Sequence, residues 1–311
     1  MENAMRELSL QLVDRGYQWR IVPFQRLYDL QEEIDGRHRQ RMFDDEFYQA
    51  WLAGFDRKPP DSLPGARSLI IVAIPRPQTQ VVFHWDDQPR PLIIPPTYVG
   101  YDAIRHHVKD LLAGILLPAG FHVAPARLPH KLLAARSGLS QYGRNNISYV
   151  SGLGSFYQLV AVYSDMPCPQ DNWQEAQMME RCQECQACLK HCPSGAISSD
   201  RFLLHAERCI VFHNEKSGQH PFPAWIDPAW HNCLIGCMHC QRVCPENRDV
   251  LGWIETQAEF SQEETSLLLE GVTLDQLPAA TVEKLEQLEL ADSADILPRN
   301  LGVFFGLSRW S

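Results

Sequence analysis

Apolar residues along the first 165 positions recur in two periods. Between residues 3 and 15, Met5, Leu8, Leu10, Leu12 and Val13 are interleaved with charges, which predicts an amphipathic helix that Gly16 would stop. Residues 18–23 read as a short strand, and helical patterns follow over 24–36 and 44–54. A breaker cluster, Pro59-Pro60-Asp61 with Pro64-Gly65, separates these from Ser68-Leu-Ile-Ile-Val-Ala-Ile74. That unbroken apolar run, closed by Pro75, suits a central strand covered on both faces. Weaker strands are predicted at 79–84, 91–94 and 121–124, and a firmer one over 156–164. Ile104, Val108, Leu111, Leu112 and Ile115 carry helical spacing through 101–117.

Met166-Pro167-Cys168-Pro169 marks a boundary, and cysteine-rich, turn-rich sequence fills 166–250. Beyond it, Ser261-Gln-Glu-Glu264 has the spacing of a capping box, and Leu285, Leu288 and Leu290 suit a further helix. The predicted fold class is α+β: a mixed, sandwich-like α/β domain over 1–165, a bacterial-ferredoxin-like double-cluster domain over 166–250, and a helical tail over 251–311. No repeat at solenoid period is present.

Charge and composition narrow the partners. With 28 basic and 38 acidic side chains the net charge is −10, which disfavours a broad phosphate-binding face. No apolar run is long enough to span a membrane. The N-terminus is charged throughout and lacks the apolar core of a secretory signal. The ten cysteines begin at Cys168, and nine fall between Cys182 and Cys244. Such clustering suits metal in a reducing cytoplasm better than a disulfide framework.

Cys182-x2-Cys185-x2-Cys188-x3-Cys192-Pro193 is the bacterial ferredoxin run. Three thiolates on one tight loop each reach a different iron of one cube. The fourth, beyond a longer step and before proline, ligates a second cluster. Cys237-x2-Cys240-x3-Cys244-Pro245 supplies the other half. The crossed rule assigns Cys182, Cys185, Cys188 and Cys244 to one 4Fe–4S cluster and Cys192, Cys237 and Cys240 to the other. An unaltered ferredoxin half would place the eighth ligand at 234, where this chain has Leu234; Cys209 and Cys233 are the alternatives. Structural zinc usually takes two cysteine pairs across a longer linker, which fits this spacing poorly. Cys168 reads as a small buried hydrophobe.

Other chemistry is thinner. Asp102 and His106 lie one helical turn apart and could exchange a proton, although a carboxylate favoured by the helix dipole beside an exposed histidine is the plainer reading. Arg136 and Arg144, with Asn145, flank a glycine-containing loop and are candidates to bind an anionic group of a cofactor. Tyr98, Tyr101 and Tyr142 could line a pocket; a phenol with pKa about 10 would need a cation such as Arg144 to serve as proton donor. Ser151-Gly-Leu-Gly154 reads as a turn and not as a dinucleotide fingerprint. The run Arg37, His38, Arg39, Arg41 reads as a solvated helix end.

The cysteine section resembles the double-cluster domain of epoxyqueuosine reductases, cobalamin-dependent enzymes of tRNA modification, with reductive dehalogenases as more distant relatives. The likeness extends upstream through Ala66–Pro75, Gly100-Tyr-Asp102, Ala134-Ala-Arg-Ser-Gly-Leu139, Tyr142-Gly-Arg-Asn145 and Gly154-Ser-Phe156. It implies that an isolated cysteine after the first run, here Cys209, completes the second cluster. It also implies cobalamin as a further cofactor, a redox donor such as a ferredoxin or flavodoxin, and electron delivery to a pocket in the N-terminal domain. The family's acid aspartate, twelve residues before the arginine of Ala-Ala-Arg, falls at Ala124, whose nearest titratable neighbour is His122. The family's Gly-Leu-Gly-Trp becomes Gly138-Leu-Ser140-Gln141 and its lysine becomes Arg144, while the C-terminal extension is shortened. These departures argue against strict tRNA epoxyqueuosine reduction. An iron–sulfur oxidoreductase with a substrate or corrinoid pocket is the first reading. A non-catalytic electron-transfer or reductive-activation protein is the second.

Overall fold

The computed structural model describes residues 1–307, which fall into two compact units. The first comprises residues 1–75 and 102–186; the second comprises 76–101 and 187 onward.

The first unit is built on an antiparallel four-stranded sheet in the order Gln18–Pro23, Ser68–Pro75, Tyr157–Ser164, Val123–Pro125. Because side chains alternate across a strand, each strand feeds two separate cores. Ile70, Val72, Ile74, Val160 and Val162 meet Leu8 and Leu12 of the helix Glu2–Val13 and Val108 and Leu112 of the helix Tyr101–Leu116. Leu69, Ile71, Ala73, Leu159, Ala161 and Tyr163 meet Leu27 and Leu30 of the helix Arg26–Arg39 and Leu132 and Leu133 of the helix His130–Arg136. Helices on both faces explain why Ser68–Pro75 is apolar without alternation, as its sequence predicts. The helical pattern over 44–54 resolves into one turn, Asp45–Phe47, capped by Asp44 accepting from the Phe47 N–H at 2.9 Å, and a π-helical turn, Tyr48–Leu52. Cys168, read from the sequence as buried, is half-buried and packs against the edge of the core of Leu8 and Val108.

The second unit holds a three-stranded sheet in which Gln78–Trp85 is central, antiparallel to Gln88–Ile94 and parallel to Ile254–Phe260. The hairpin turns through Asp86 and Asp87, both at positive φ, the conformation a two-residue type I′ loop requires. Val81 and Phe83 pack against Phe260 and against Leu268, Leu285 and Leu301 of the helices Gln262–Glu270, Ala279–Gln287 and Leu297–Phe304. Phe83 and Phe260 stack at 5.0 Å. The capping box forms as predicted, with Ser261 accepting from the Glu264 N–H.

Two expectations are corrected here. Residues 76–101 do not belong with the N-terminal domain drawn as 1–165. Their inward face, Val81, Phe83 and Ile94, is buried by residues beyond 230. Nor is 251–311 wholly helical, since it opens with the strand Ile254–Phe260, which buries only Ala258 and Phe260 and presents polar residues elsewhere. Among the described residues no helix is long and apolar enough to cross a membrane.

Candidate iron–sulfur centre

The first cysteine run folds as a succession of tight turns. Cys182 lies in the 3₁₀ turn Glu180–Gln183, Cys188 in the one-turn helix Ala187–His191, and the Cys192-Pro193 step leads to Gly195 at φ +64°. Cys182 and Cys188 are buried; Cys185 and Cys192 are half-buried. Cys182 and Cys185 close the first unit, where Arg144 pins their loop. The Arg144 Nη2 donates to the carbonyl of Cys182 at 2.6 Å and to that of Gln183 at 3.4 Å, and its Nε donates to the Cys185 carbonyl at 3.4 Å. A guanidinium fits this task because its donors fan out in one plane and stay charged.

All four thiols assigned to the second cluster lie in the second unit. Cys209 is the N-cap of the short helix Ile210–Asn214, and Cys240 sits in the one-turn helix His239–Arg242, which packs on the helix Ala187–His191. Burial, with the Cys237 and Cys192 thiols and the Glu215 carboxylate adding to it, pushes the Cys209 thiol up to about 12. Burial likewise pushes Cys237 to about 11, with Cys192 adding to the rise. Cys233 is 1% exposed in the core beside Leu234, and burial with the Cys237 thiol raises it.

This donor set fits a 4Fe–4S cluster. Soft thiols, costly to ionise when empty, become thiolates once iron compensates their charge. Among the described residues no three Cys, His, Asp or Glu side chains converge as tightly as a single ion demands. A cube gives each thiolate its own iron and so asks for wider spacing. The backbone is held to receive it. Gly236 has φ +74°, and the Asn214 side chain brackets it, donating to its carbonyl at 2.7 Å and accepting from its N–H at 3.1 Å. Asn214 is in turn held by Asn300, whose amide donates to the Asn214 carbonyl at 3.0 Å and the Leu234 carbonyl at 2.9 Å. Sequence reasoning missed Asn214 and Asn300, because an asparagine's partners across more than 20 residues leave no local signal.

The remaining candidates are placed as follows. Arg136 is ion-paired to Glu33 at 2.5 Å and Glu175 at 2.8 Å, and it also donates to the Gln174 carbonyl. Asn145 is buried, donating to the Tyr149 hydroxyl at 3.0 Å and accepting from the Ile147 N–H. With Arg144 on the cysteine loop, all three residues expected to hold a cofactor anion are engaged by the chain itself. Asp102 is exposed and pairs with Arg105 at 2.8 Å, its neighbour on the same helix face, and His106 is exposed. Burial and the neighbouring Glu33 carboxylate drive the Tyr142 phenol above its ordinary value, which opposes its ionisation. Ala124 is buried on its strand, and His122 pairs with Asp165 at 2.8 Å. Arg37 and Arg39 are neutralised by Glu33 and Glu32, and Ser151–Gly154 is a turn.

Comparison with known proteins agrees with the cysteine pattern. Residues 181–247 match the family described as the 4Fe-4S double cluster binding domain. Epoxyqueuosine reductase of Pseudomonas aeruginosa is 36% identical over 134 residues, 42% of this chain and 36% of that protein. That of Vibrio cholerae is 31% identical over 212 residues, 64% of this chain and 55% of that protein. The chain thus spans about a third to about half of the curated relatives it matches. The structure of epoxyqueuosine reductase from Streptococcus thermophilus superposes with a TM-score of 0.67 at 19% identity, covering 98% of this chain and 82% of that one. An epoxyqueuosine reductase solved with an epoxyqueuosine-modified tRNA-Tyr stem loop superposes with a TM-score of 0.63 at 20% identity, covering 99% and 83%. In sequence and fold the chain is similar to epoxyqueuosine reductases, and residues 181–247 carry the double 4Fe–4S pattern.

Proposed function

We propose that this chain is an iron–sulfur oxidoreductase that carries electrons through two 4Fe–4S clusters to an acceptor of the epoxyqueuosine reductase type. The observation that carries this reading is the match of residues 181–247, with their two Cys-Pro runs, to the double-cluster domain. When bound, the clusters supply one-electron transfer at low potential. Cys182, Cys185, Cys188 and Cys244 hold one of them; Cys192, Cys209, Cys237 and Cys240 hold the other. Arg144 fixes the loop of the first set, and Asn214 fixes the approach to Cys237. A small soluble carrier, a ferredoxin or flavodoxin, is the proposed donor.

A second reading, an electron-transfer or reductive-activation protein without its own substrate, is favoured by one position. Ala124 stands where the family's acid aspartate would, and an alanine cannot donate a proton. Anaerobic reconstitution followed by iron and sulfide counts tests the shared part of both readings: about eight irons per chain are expected for two 4Fe–4S clusters. A colourless protein, silent by EPR after dithionite, would refute it. Incubating the loaded protein with reductant and tRNA containing epoxyqueuosine then separates the two. Queuosine formed in multiple turnovers supports the reductase, and no product with or without added hydroxocobalamin supports the carrier.

A further inference from the structure

Beside the second cysteine set, Tyr98 and Glu215 form a pair that the proposed chemistry has not used. The Tyr98 hydroxyl donates to the Glu215 Oε1. Both residues are half-buried, and they are 117 positions apart in sequence, so the fold brings them together deliberately. The side chain of Tyr98 lies against Gly236. A Cβ at that glycine would come within 2.8 Å of the Tyr98 hydroxyl, 2.9 Å of its Cε2 and 2.9 Å of Pro95 Cγ. Tyr98 thus touches the backbone one residue before Cys237. Glu215 directly follows Asn214, whose side chain brackets the same Gly236, so the Tyr98–Glu215 pair is built onto the backbone step that leads into Cys237.

A fixed negative charge close to a cluster that gains an electron on reduction disfavours the reduced state, and a hydrogen bond to that charge moderates its effect. We infer that Tyr98 and Glu215 are positioning residues that set the reduction potential of the second cluster: the carboxylate lowers it and the phenol tempers the lowering. This inference rests on the reading that Cys192, Cys209, Cys237 and Cys240 hold that cluster.

The test uses the full chain, reconstituted anaerobically, in an EPR-monitored redox titration that resolves two midpoints. Glu215→Gln removes the charge and should move one midpoint to higher potential while the other stays in place. Glu215→Asp keeps the charge and should return that midpoint most of the way to the wild-type value. Tyr98→Phe removes the tempering donor and should move the same midpoint the other way. Opposite displacements of one wave are a signature that a merely structural role would not give. Full iron and sulfide with both midpoints unmoved in Glu215→Gln overturns the inference. If that variant loses its second cluster, Tyr98→Phe decides: one midpoint lowered supports the inference, and none moved overturns it. Failure of the underlying reading is seen separately, as a wild-type protein that loads only one cluster.

Discussion

Replacing Cys209 and Cys233 one at a time is the sharpest test of how the second cluster is held. Both are thiols within the same unit, and sequence spacing alone leaves them equivalent. Their surroundings differ. Cys209 is half-buried at a helix N-cap, whereas Cys233 is 1% exposed between Asn232 and Leu234 in the apolar core. Cys209→Ala removes one of four ligands to one of two clusters. Iron and sulfide should therefore fall to about half, with a matching fall in the charge-transfer absorption, because the two clusters contribute equally. Binding and folding are coupled at such sites, so the second unit should also unfold at lower urea. Cys233→Ala removes only a buried sulfur, at a cost of about 1 kcal/mol, and should keep its full iron. Iron and sulfide counts on anaerobically reconstituted protein, read beside urea midpoints, give both quantities on one sample. Half-loading of Cys233→Ala with full loading of Cys209→Ala would refute the assignment.

Three further outcomes follow from the same geometry. Gly236→Ala places a side chain at φ +74° against Tyr98 and Pro95, so it should cost about 1–2 kcal/mol for the conformation alone and more for the collisions, seen as a lower thermal midpoint of the loaded protein. Arg299→Met should cost about 3 kcal/mol or more in denaturant unfolding. The buried guanidinium donates to the carbonyls of Asn214, Lys216, Ser217 and His220, and the thioether leaves all four without that donor. For Glu264, burial alone would raise the carboxyl, but hydrogen bonds from Lys284, the Ser261 N–H and Thr281 outweigh it and hold it below its ordinary 4.5. The unfolded chain then binds this proton more readily than the folded one. The stability Glu264 contributes is fully present above the ordinary value and is lost as pH falls through the depressed folded one. Glu264→Gln should flatten the loss of stability below about pH 5, and an unchanged acid limb would refute the assignment.

What could be read in the sequence was what is local. The cysteine runs carry their ligand logic in spacings of two and three residues, and the strand Ser68–Pro75 declares its two covered faces by an unbroken apolar run. The strand Ile254–Phe260 was hidden because it lies at a sheet edge and buries only two side chains, so its sequence shows no clean alternation. Its partner strand begins at Gln78, far upstream, and no short-range pattern announces a pairing across that distance. The same physics separates the right and wrong expectations about charged residues. Arg144 was expected to seek an external anion, and its Nε and Nη2 donate to three backbone carbonyls of the cysteine loop. Arg136 was expected to do likewise, and Glu33 holds it instead. An arginine's chemistry is fixed by whatever acceptors the fold brings to it, and those acceptors lie 38 to 103 residues away in sequence. Thiols differ because their spacing along the chain already sets which of them can share a cube. The double-cluster pattern was therefore legible, while the contact between Tyr98 and Glu215 became visible only in three dimensions.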